Sequence, residues 1–224
     1  MKPIIGIISN NAKNDTSIIY NDVIKSVELS GGEPLGLISN IDTKVGDNIL
    51  KNCDGFIFQG GHEINDFHLE LLDYAHKNSK PILGICMGFQ LIATKFFGIG
   101  SVMRIEHIKK DGATGIIEHQ TFIEDDEDLK KCVHKIDIED SSILYPIFGD
   151  SVSVNSRHIK TVVHVEKPFI VTAKSEDGLI EMIEYIDEKN FIIGVQFHPE
   201  NLDHMKPLFD LFVKQCKKRS AKAK

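Results

Sequence analysis

At 224 residues, 42% of them hydrophobic and 26% charged, the chain can bury one substantial core and is short for two independent ones. A net charge of −7 argues against nucleic-acid binding, which needs Lys and Arg clustered on one face, and no apolar run approaches the roughly 20 residues of a membrane span. Cys53, Cys86, Cys132 and Cys216 form no C-x-x-C pair, so the chain reads as carrying reduced thiols, without a zinc site or disulfide framework.

Met1-Lys2-Pro3 leads into an apolar run without the small-residue cleavage site of a secretory signal, which gives the expectation of a cytoplasmic protein. Short apolar segments at 3–9, 34–38, 55–59 and 81–86, bounded by Gly, Pro, Asn or Asp, are predicted as buried parallel strands. Between them, Ile19, Val23, Val27 and Leu29 predict a helix over 16–30, and Phe67, Leu71, Leu72 and Ala75 one over 64–78. A third helix should start just after Cys86. This alternation is the pattern of an α/β fold with a mostly parallel central sheet flanked by helices.

From about Gly98 the texture changes. Segments at 115–123, 132–138, 151–154, 161–165, 169–173, 179–186 and 191–197 alternate in a β-like manner and predict added antiparallel strands at one side of the sheet. The acidic stretch 124–128 reads as a solvated turn, since consecutive carboxylates without a spaced ligand pattern are poor evidence for metal. A last amphipathic helix carries Leu208, Phe209, Leu211, Phe212 and Val213. The division expected is one domain over 1–216 and a basic, flexible tail over 217–224.

The chemistry concentrates in three motifs. Gly84-Ile85-Cys86-Met87-Gly88 places a cysteine between glycines where a buried strand runs into a helix, the thiol version of a nucleophile elbow. The glycines allow a sharp turn, and a helix N-terminus favours thiolate over thiol. For Cys53, Cys132 and Cys216 the reading is instead that of small buried hydrophobes. A cysteine nucleophile needs a base, and the base an orienting partner. His198-Pro199-Glu200, at the end of a predicted strand, offers an imidazole, a rigid proline and a carboxylate in succession. Gln59-Gly60-Gly61-His62 follows another predicted strand, where adjacent glycines could turn an N–H toward the reacting carbon. That amide and the N–H of Met87 would form an oxyanion hole.

Gly-Ile-Cys-Met-Gly-Phe-Gln at 84–90, the Gly60-Gly61 turn and Gly-Val-Gln-Phe-His-Pro-Glu at 194–200 resemble the signatures of the class I glutamine amidotransferase-like superfamily, whose fold is flavodoxin-like. Within it the chain looks most like the γ-glutamyl-γ-aminobutyrate hydrolase branch, the peptidase C26 group. The opening 2–7, Val154-Asn155-Ser156-Arg157-His158 and the segment 173–181 support that branch. The resemblance implies a catalytic triad of Cys86, His198 and Glu200, oxyanion amides from Gly61 and Met87, and a substrate mouth involving Gly60, Gln90, Asn155, Ser156 and His158. It implies no metal and no cofactor. Three departures bear on substrate choice: Gln59 stands where proline is common, Met87 where arginine is frequent, and Lys160 where glutamine is common.

Two enzymatic readings follow. In the first, a stand-alone hydrolase cleaves a small-molecule γ-glutamyl amide through a thioester. In the second, a glutaminase subunit delivers ammonia to a partner synthetase. A regulatory binding module is disfavoured by the intact triad residues. Neither nucleic acid nor membrane is expected as a partner, and assembly into a homodimer is left open.

Overall fold

Strands whose side chains are apolar on both faces are stable only between two layers of helices. The computed structural model, which describes residues 1–12, 16–38, 45–110, 117–120, 123–187 and 189–222, has this three-layer arrangement. The first half contains β1 (Ile4–Ile8), the short strands β2 (Asn10–Ala12) and β3 (Thr16–Ile18), α1 (Asn21–Leu29), β4 (Glu33–Leu37), α2 (Asp47–Asn52), β5 (Gly55–Phe58), α3 (Asp66–Lys77), β6 (Ile82–Ile85) and α4 (Met87–Phe97). Next come β7 (Val102–Arg104), α5 (Ile105–Lys110), α6 (Asp126–Lys130), β8 (His134–Ile138), α7 (Tyr145–Phe148), β9 (Ser151–Val154) and β10 (Lys160–Val162). The chain closes with β11 (Phe169–Ser175), β12 (Ile180–Tyr185), β13 (Ile192–Val195) and α8 (Lys206–Lys222).

The main sheet runs β4-β1-β5-β6-β13-β12-β11-β8-β9, with β10 and β7 paired beside β12. Pairings from β4 through β13 are parallel; those from β13 through β9 are antiparallel. Alternation sorts the core. Ile5, Ile7, Ile57, Leu83, Ile85, Ile193 and Val195 meet α1 and α8 on one face. Ile8, Phe56, Phe58, Ile82 and Ile192 meet α3 and α4 on the other. Gly84 and Gly194 stand where strand side chains would face α4: a Cβ at Gly84 would lie 2.6 Å from the Gly88 carbonyl oxygen, and one at Gly194 would lie 2.5 Å from Phe89. Removing these side chains seats α4 directly on β6 and β13.

Several expectations change. The predicted helix over 16–30 is split: Thr16–Ile18 pairs with Asn10–Ala12 as β3, and α1 begins only at Asn21, burying Val23 and Val27 and leaving Leu29 exposed. The six-residue α2 was too short to show a helical period. The acidic stretch is no plain turn, because the Asp125 carboxylate accepts from the N–H groups of Glu127 and Asp128 and caps α6. Helix α8 runs from Lys206 through Lys222, so residues 217–219 of the expected basic tail lie within a helix, near the end where cations offset the helix dipole. Cys132 is exposed; Cys53 and Cys216 are buried. The predicted strand at 115–123 lies partly outside the described residues, and within them only Gln120 forms a bridge, to Arg157. Among the described residues, no helix is long and apolar enough to cross a membrane.

Candidate active site

Three neighbouring parallel strands, β5, β6 and β13, end at the same edge of the sheet. The carboxyl ends of strands are where open α/β sheets bind ligands. Here β5 delivers Gly60 and Gly61, β6 delivers Cys86, and β13 delivers His198 and Glu200. The Cys86 N–H donates to the Val195 carbonyl at 2.8 Å, which ties the cysteine to the neighbouring strand.

Cys86 lies between β6 and α4 with φ 51° and ψ −101°, a left-hand-side conformation that costs a non-glycine residue on the order of 1–3 kcal/mol. The surrounding contacts hold it there. A Cβ on Gly88 would sit 1.9 Å from the Phe58 carbonyl oxygen, so the first turn of α4 touches the β5 backbone directly. The first helical hydrogen bond is from Gln90 N–H to the Cys86 carbonyl, leaving the preceding N–H groups, including that of Met87, without an intrahelical acceptor.

His198 Nδ1 lies 2.7 Å from Glu200 Oε1, and its ring stands close to Cys86, since a Cβ at Gly60 would meet both residues. Burial alone would lower its pKa; the Glu200 carboxylate and then the Cys86 sulfur outweigh burial and raise it to about 9. The ring is therefore protonated at neutral pH and loses its proton as pH rises through about 9. If the imidazolium is the required form, kcat/KM will fall on the alkaline side with an apparent pKa near 9, and Glu200→Gln will move that limb to lower pH. A pH–rate profile of both proteins measures this.

Asn155 fixes the backbone of the same histidine. Its Oδ1 accepts from His198 N–H at 2.8 Å, and its Nδ2 donates to the His198 carbonyl at 2.9 Å. Asn155→Ala should accordingly lower kcat by roughly tenfold to a hundredfold, with little change in KM, in steady-state kinetics.

The three residues open into a cavity of about 710 Å³, lined also by Tyr20, Gly60, Gly61, Gln90, Arg157 and Lys160. Of the residues expected at a substrate mouth, Gly60, Gln90 and His158 line it. Asn155 and Ser156 are buried and do not: Asn155 holds His198, and the Ser156 hydroxyl donates to the His119 carbonyl. Gly60 is shaped by the histidine, since a Cβ there would lie 2.5 Å from His198 Cε1. Asn10 Nδ2 donates to the Gly60 carbonyl and fixes that peptide.

The sequence motifs assign no role to Asn10, Tyr20 or Arg157. Arg157 donates to Asn201 Oδ1 at 2.7 Å; burial lowers its pKa, against the raising effect of Glu200 and Cys86. Burial likewise pushes the Tyr20 phenol up, helped by Cys86 and Glu200. Asn10 could have been found from its place just past β1, at the same sheet edge. Gln59, one of the departures, is buried and bridges two elements: its Oε1 accepts from Tyr20 N–H and its Nε2 donates to the Ile18 carbonyl.

The family model of Peptidase C26 matches residues 65–200, a span that includes Cys86, His198 and Glu200. A glutamine amidotransferase-like protein of Rickettsia prowazekii is 29% identical over 90% of this chain and 92% of its own length. Protein NtpR of Enterococcus hirae is 27% identical over 96% of this chain and its full length. The CTP synthase of Thermotoga maritima is 28% identical over 83% of this chain, which spans only 40% of that enzyme. Among solved structures, a GMP synthase-like protein of Thermoplasma acidophilum superposes with a TM-score of 0.70 at 21% identity, covering 100% of this chain and 99% of the other. The glutaminase domain of Trypanosoma brucei CTP synthase superposes with a TM-score of 0.66 at 20% identity, over 96% and 94% of the two chains. At those identities the superpositions establish the fold, and the match over 65–200 establishes the family: this chain belongs to the Peptidase C26 family of the class I glutamine amidotransferase-like superfamily.

Proposed function

We propose that the protein is a cysteine-dependent amide hydrolase acting on a γ-glutamyl amide such as γ-glutamyl-γ-aminobutyrate or a related γ-glutamyl amine. The observation carrying this reading is that Cys86, His198 and Glu200 line one cavity, with His198 Nδ1 held by Glu200 and its ring beside Cys86. With His198 already holding the proton, Cys86 attacks the γ-carbonyl as the thiolate of a thiolate–imidazolium pair. The oxyanion is received by the N–H groups of Met87 and Gly61. The Gly60–Gly61 peptide supports this assignment, because Asn10 holds its carbonyl and a trans peptide then aims its N–H in the opposite direction. The imidazolium protonates the departing amine, whose release leaves a γ-glutamyl thioester. His198 then deprotonates a water that attacks the thioester, glutamate is released, and the thiolate–imidazolium pair is regenerated. Arg157 and Lys160 on the cavity wall fit a substrate bearing free carboxylates.

Incubation with a panel of γ-glutamyl amines, glutamine among them, with Cys86→Ser alongside, tests the proposal through product analysis. Glutamate and the free amine should appear only with the wild-type protein. No glutamate from any member of the panel would defeat the assignment. The similarity to CTP synthase sequences over part of their length favours one alternative, a glutaminase that supplies ammonia to a partner synthetase. That reading requires weak activity alone and strong stimulation by the partner, whereas a stand-alone hydrolase is indifferent to one.

A further inference from the structure

Three histidines and a glutamate meet in the core beside the cavity, although no spacing pattern along the chain predicts a metal. His119, His134, His158 and Glu181 come from four separate parts of the chain, and each is at most 7% exposed. Their ring nitrogens converge on one carboxylate oxygen: His119 Nδ1, His134 Nε2 and His158 Nε2 each lie 3.7 Å from Glu181 Oε1. That is too long for hydrogen bonds, but close to the roughly 3.4 Å that separates ligand atoms around a tetrahedral ion with bonds near 2.0–2.1 Å.

The outer hydrogen bonds explain which way the lone pairs point. His158 Nδ1 lies 2.9 Å from the Lys160 carbonyl and His134 Nδ1 3.2 Å from the Lys135 carbonyl; each donates there, which turns an Nε2 lone pair inward. His119 Nε2 lies 2.9 Å from Asp177 Oδ2 and donates to it, leaving Nδ1 as the inward acceptor. The one proton of the Ser156 hydroxyl goes to the His119 carbonyl at 2.9 Å, closer than Nδ1 at 3.2 Å. Asp177 is itself held by Ser175 Oγ–H and Ile117 N–H. Such carboxylate and carbonyl partners behind each imidazole are the usual support of metal-bound histidine.

Charge makes the same case. Glu181 is fully buried, and neither carboxylate oxygen has a hydrogen-bond partner among the described residues; nor do His134 Nε2 and His158 Nε2. Glu184, three residues along the same strand, shows how this core otherwise treats a carboxylate: its oxygens accept from Ser142 Oγ–H and Ile143 N–H. A bare carboxylate facing three imidazole lone pairs is strongly unfavourable unless a cation lies between them. We propose that His119, His158 and Glu181, with His134 beside them against the Glu181 carboxylate, form a structural site for a first-row divalent cation, with Zn²⁺ as the best match to two imidazoles and one carboxylate.

All three ligands are buried, so the ion's work is to fasten segments together. It ties β12 and residues 117–120 to the loop 155–159, the loop that supplies Asn155 to His198 and Arg157 to the cavity. The Glu181 carbonyl also accepts from Gln196 N–H, two residues before the histidine. Ion and active site are thus coupled through backbone.

The test uses the full chain purified without a metal-chelating tag. Elemental analysis should find about one equivalent of zinc or a neighbouring divalent metal per chain. Stripping with a chelator and returning Zn²⁺ at a thousandfold excess over its Kd should raise Tm by roughly 10 °C. Co²⁺ added to the stripped protein should give the visible absorption of a tetrahedral ion. Glu181→Gln should lose the metal, while Glu118→Gln, at an exposed position, should keep it. If Glu181→Gln fails to fold, the Co²⁺ spectrum of the stripped wild type still decides. A purified protein free of metal, with no Tm response to Zn²⁺ and no tetrahedral Co²⁺ spectrum, overturns the proposal, as does full metal retention in a folded Glu181→Gln. Because none of these readouts involves turnover, the outcome is independent of whether the γ-glutamyl assignment holds.

Discussion

Cys86→Ser should lower kcat/KM for a γ-glutamyl amide by about 10⁵-fold or more while leaving the thermal transition in place. Serine keeps the volume and the elbow, but its hydroxyl is a far weaker acid than a thiol, so the proton is not surrendered to His198 at neutral pH. His198→Ala should cost a comparable factor, because the sulfur loses the group that takes its proton and later protonates the amine. The double variant should be no worse than either single one, since residues that act as one relay are not additive. Steady-state kinetics on the three proteins, with Tm measured in parallel, separates this outcome from general damage. Equal, modest losses of activity and stability would mean that the cysteine is only part of the packing.

The second large effect concerns the turn that presents the cysteine. Gly88→Ala would put a methyl group 1.9 Å from the Phe58 carbonyl oxygen, and neither partner in that contact is a flexible side chain. The first turn of α4 must then separate from β5. We expect a loss of about 3 kcal/mol or more, a large part of a typical domain's stability, together with loss of activity as Cys86 moves away from His198. Gly100, around which an added Cβ would meet nothing within 4 Å, gives the control: Gly100→Ala should change stability little. Urea titrations of the two variants measure the difference.

These effects bear on what the chain revealed before its structure. Cys86 was legible because an elbow is local, with its glycines and the apolar strand that precedes it lying within a few residues. The parallel strands were legible for the same reason, through the runs that became β1, β5, β6 and β13. Legibility failed where partners are distant in sequence. Thr16–Ile18 reads as the start of a helix until Asn10–Ala12 pairs with it. Asn155 and Ser156 look like mouth residues in their motif, yet one clamps the His198 backbone and the other supports His119. The histidine cluster has no spacing signature, because its members are separated by 15 to 62 residues and meet only through the antiparallel half of the sheet.

Departures from the family pattern acquire local explanations as well. Gln59 replaces a common proline with a side chain that links β3 and the start of α1 to the glycine turn. The Lys160 carbonyl receives Gln90 Nε2–H and His158, while its side chain lines the cavity, so a change there can alter the wall without loosening the loop.

The central claim is that a γ-glutamyl group is carried covalently on one sulfur. Acid quenching during turnover of a γ-glutamyl amide, followed by intact-mass and peptide analysis, measures it directly. The expected result is a transient increase equal to one γ-glutamyl group, mapped to the peptide containing Cys86 and absent from Cys86→Ser. Glutamate release that continues in Cys86→Ser, or an adduct mapped to Cys53, Cys132 or Cys216, would contradict the account.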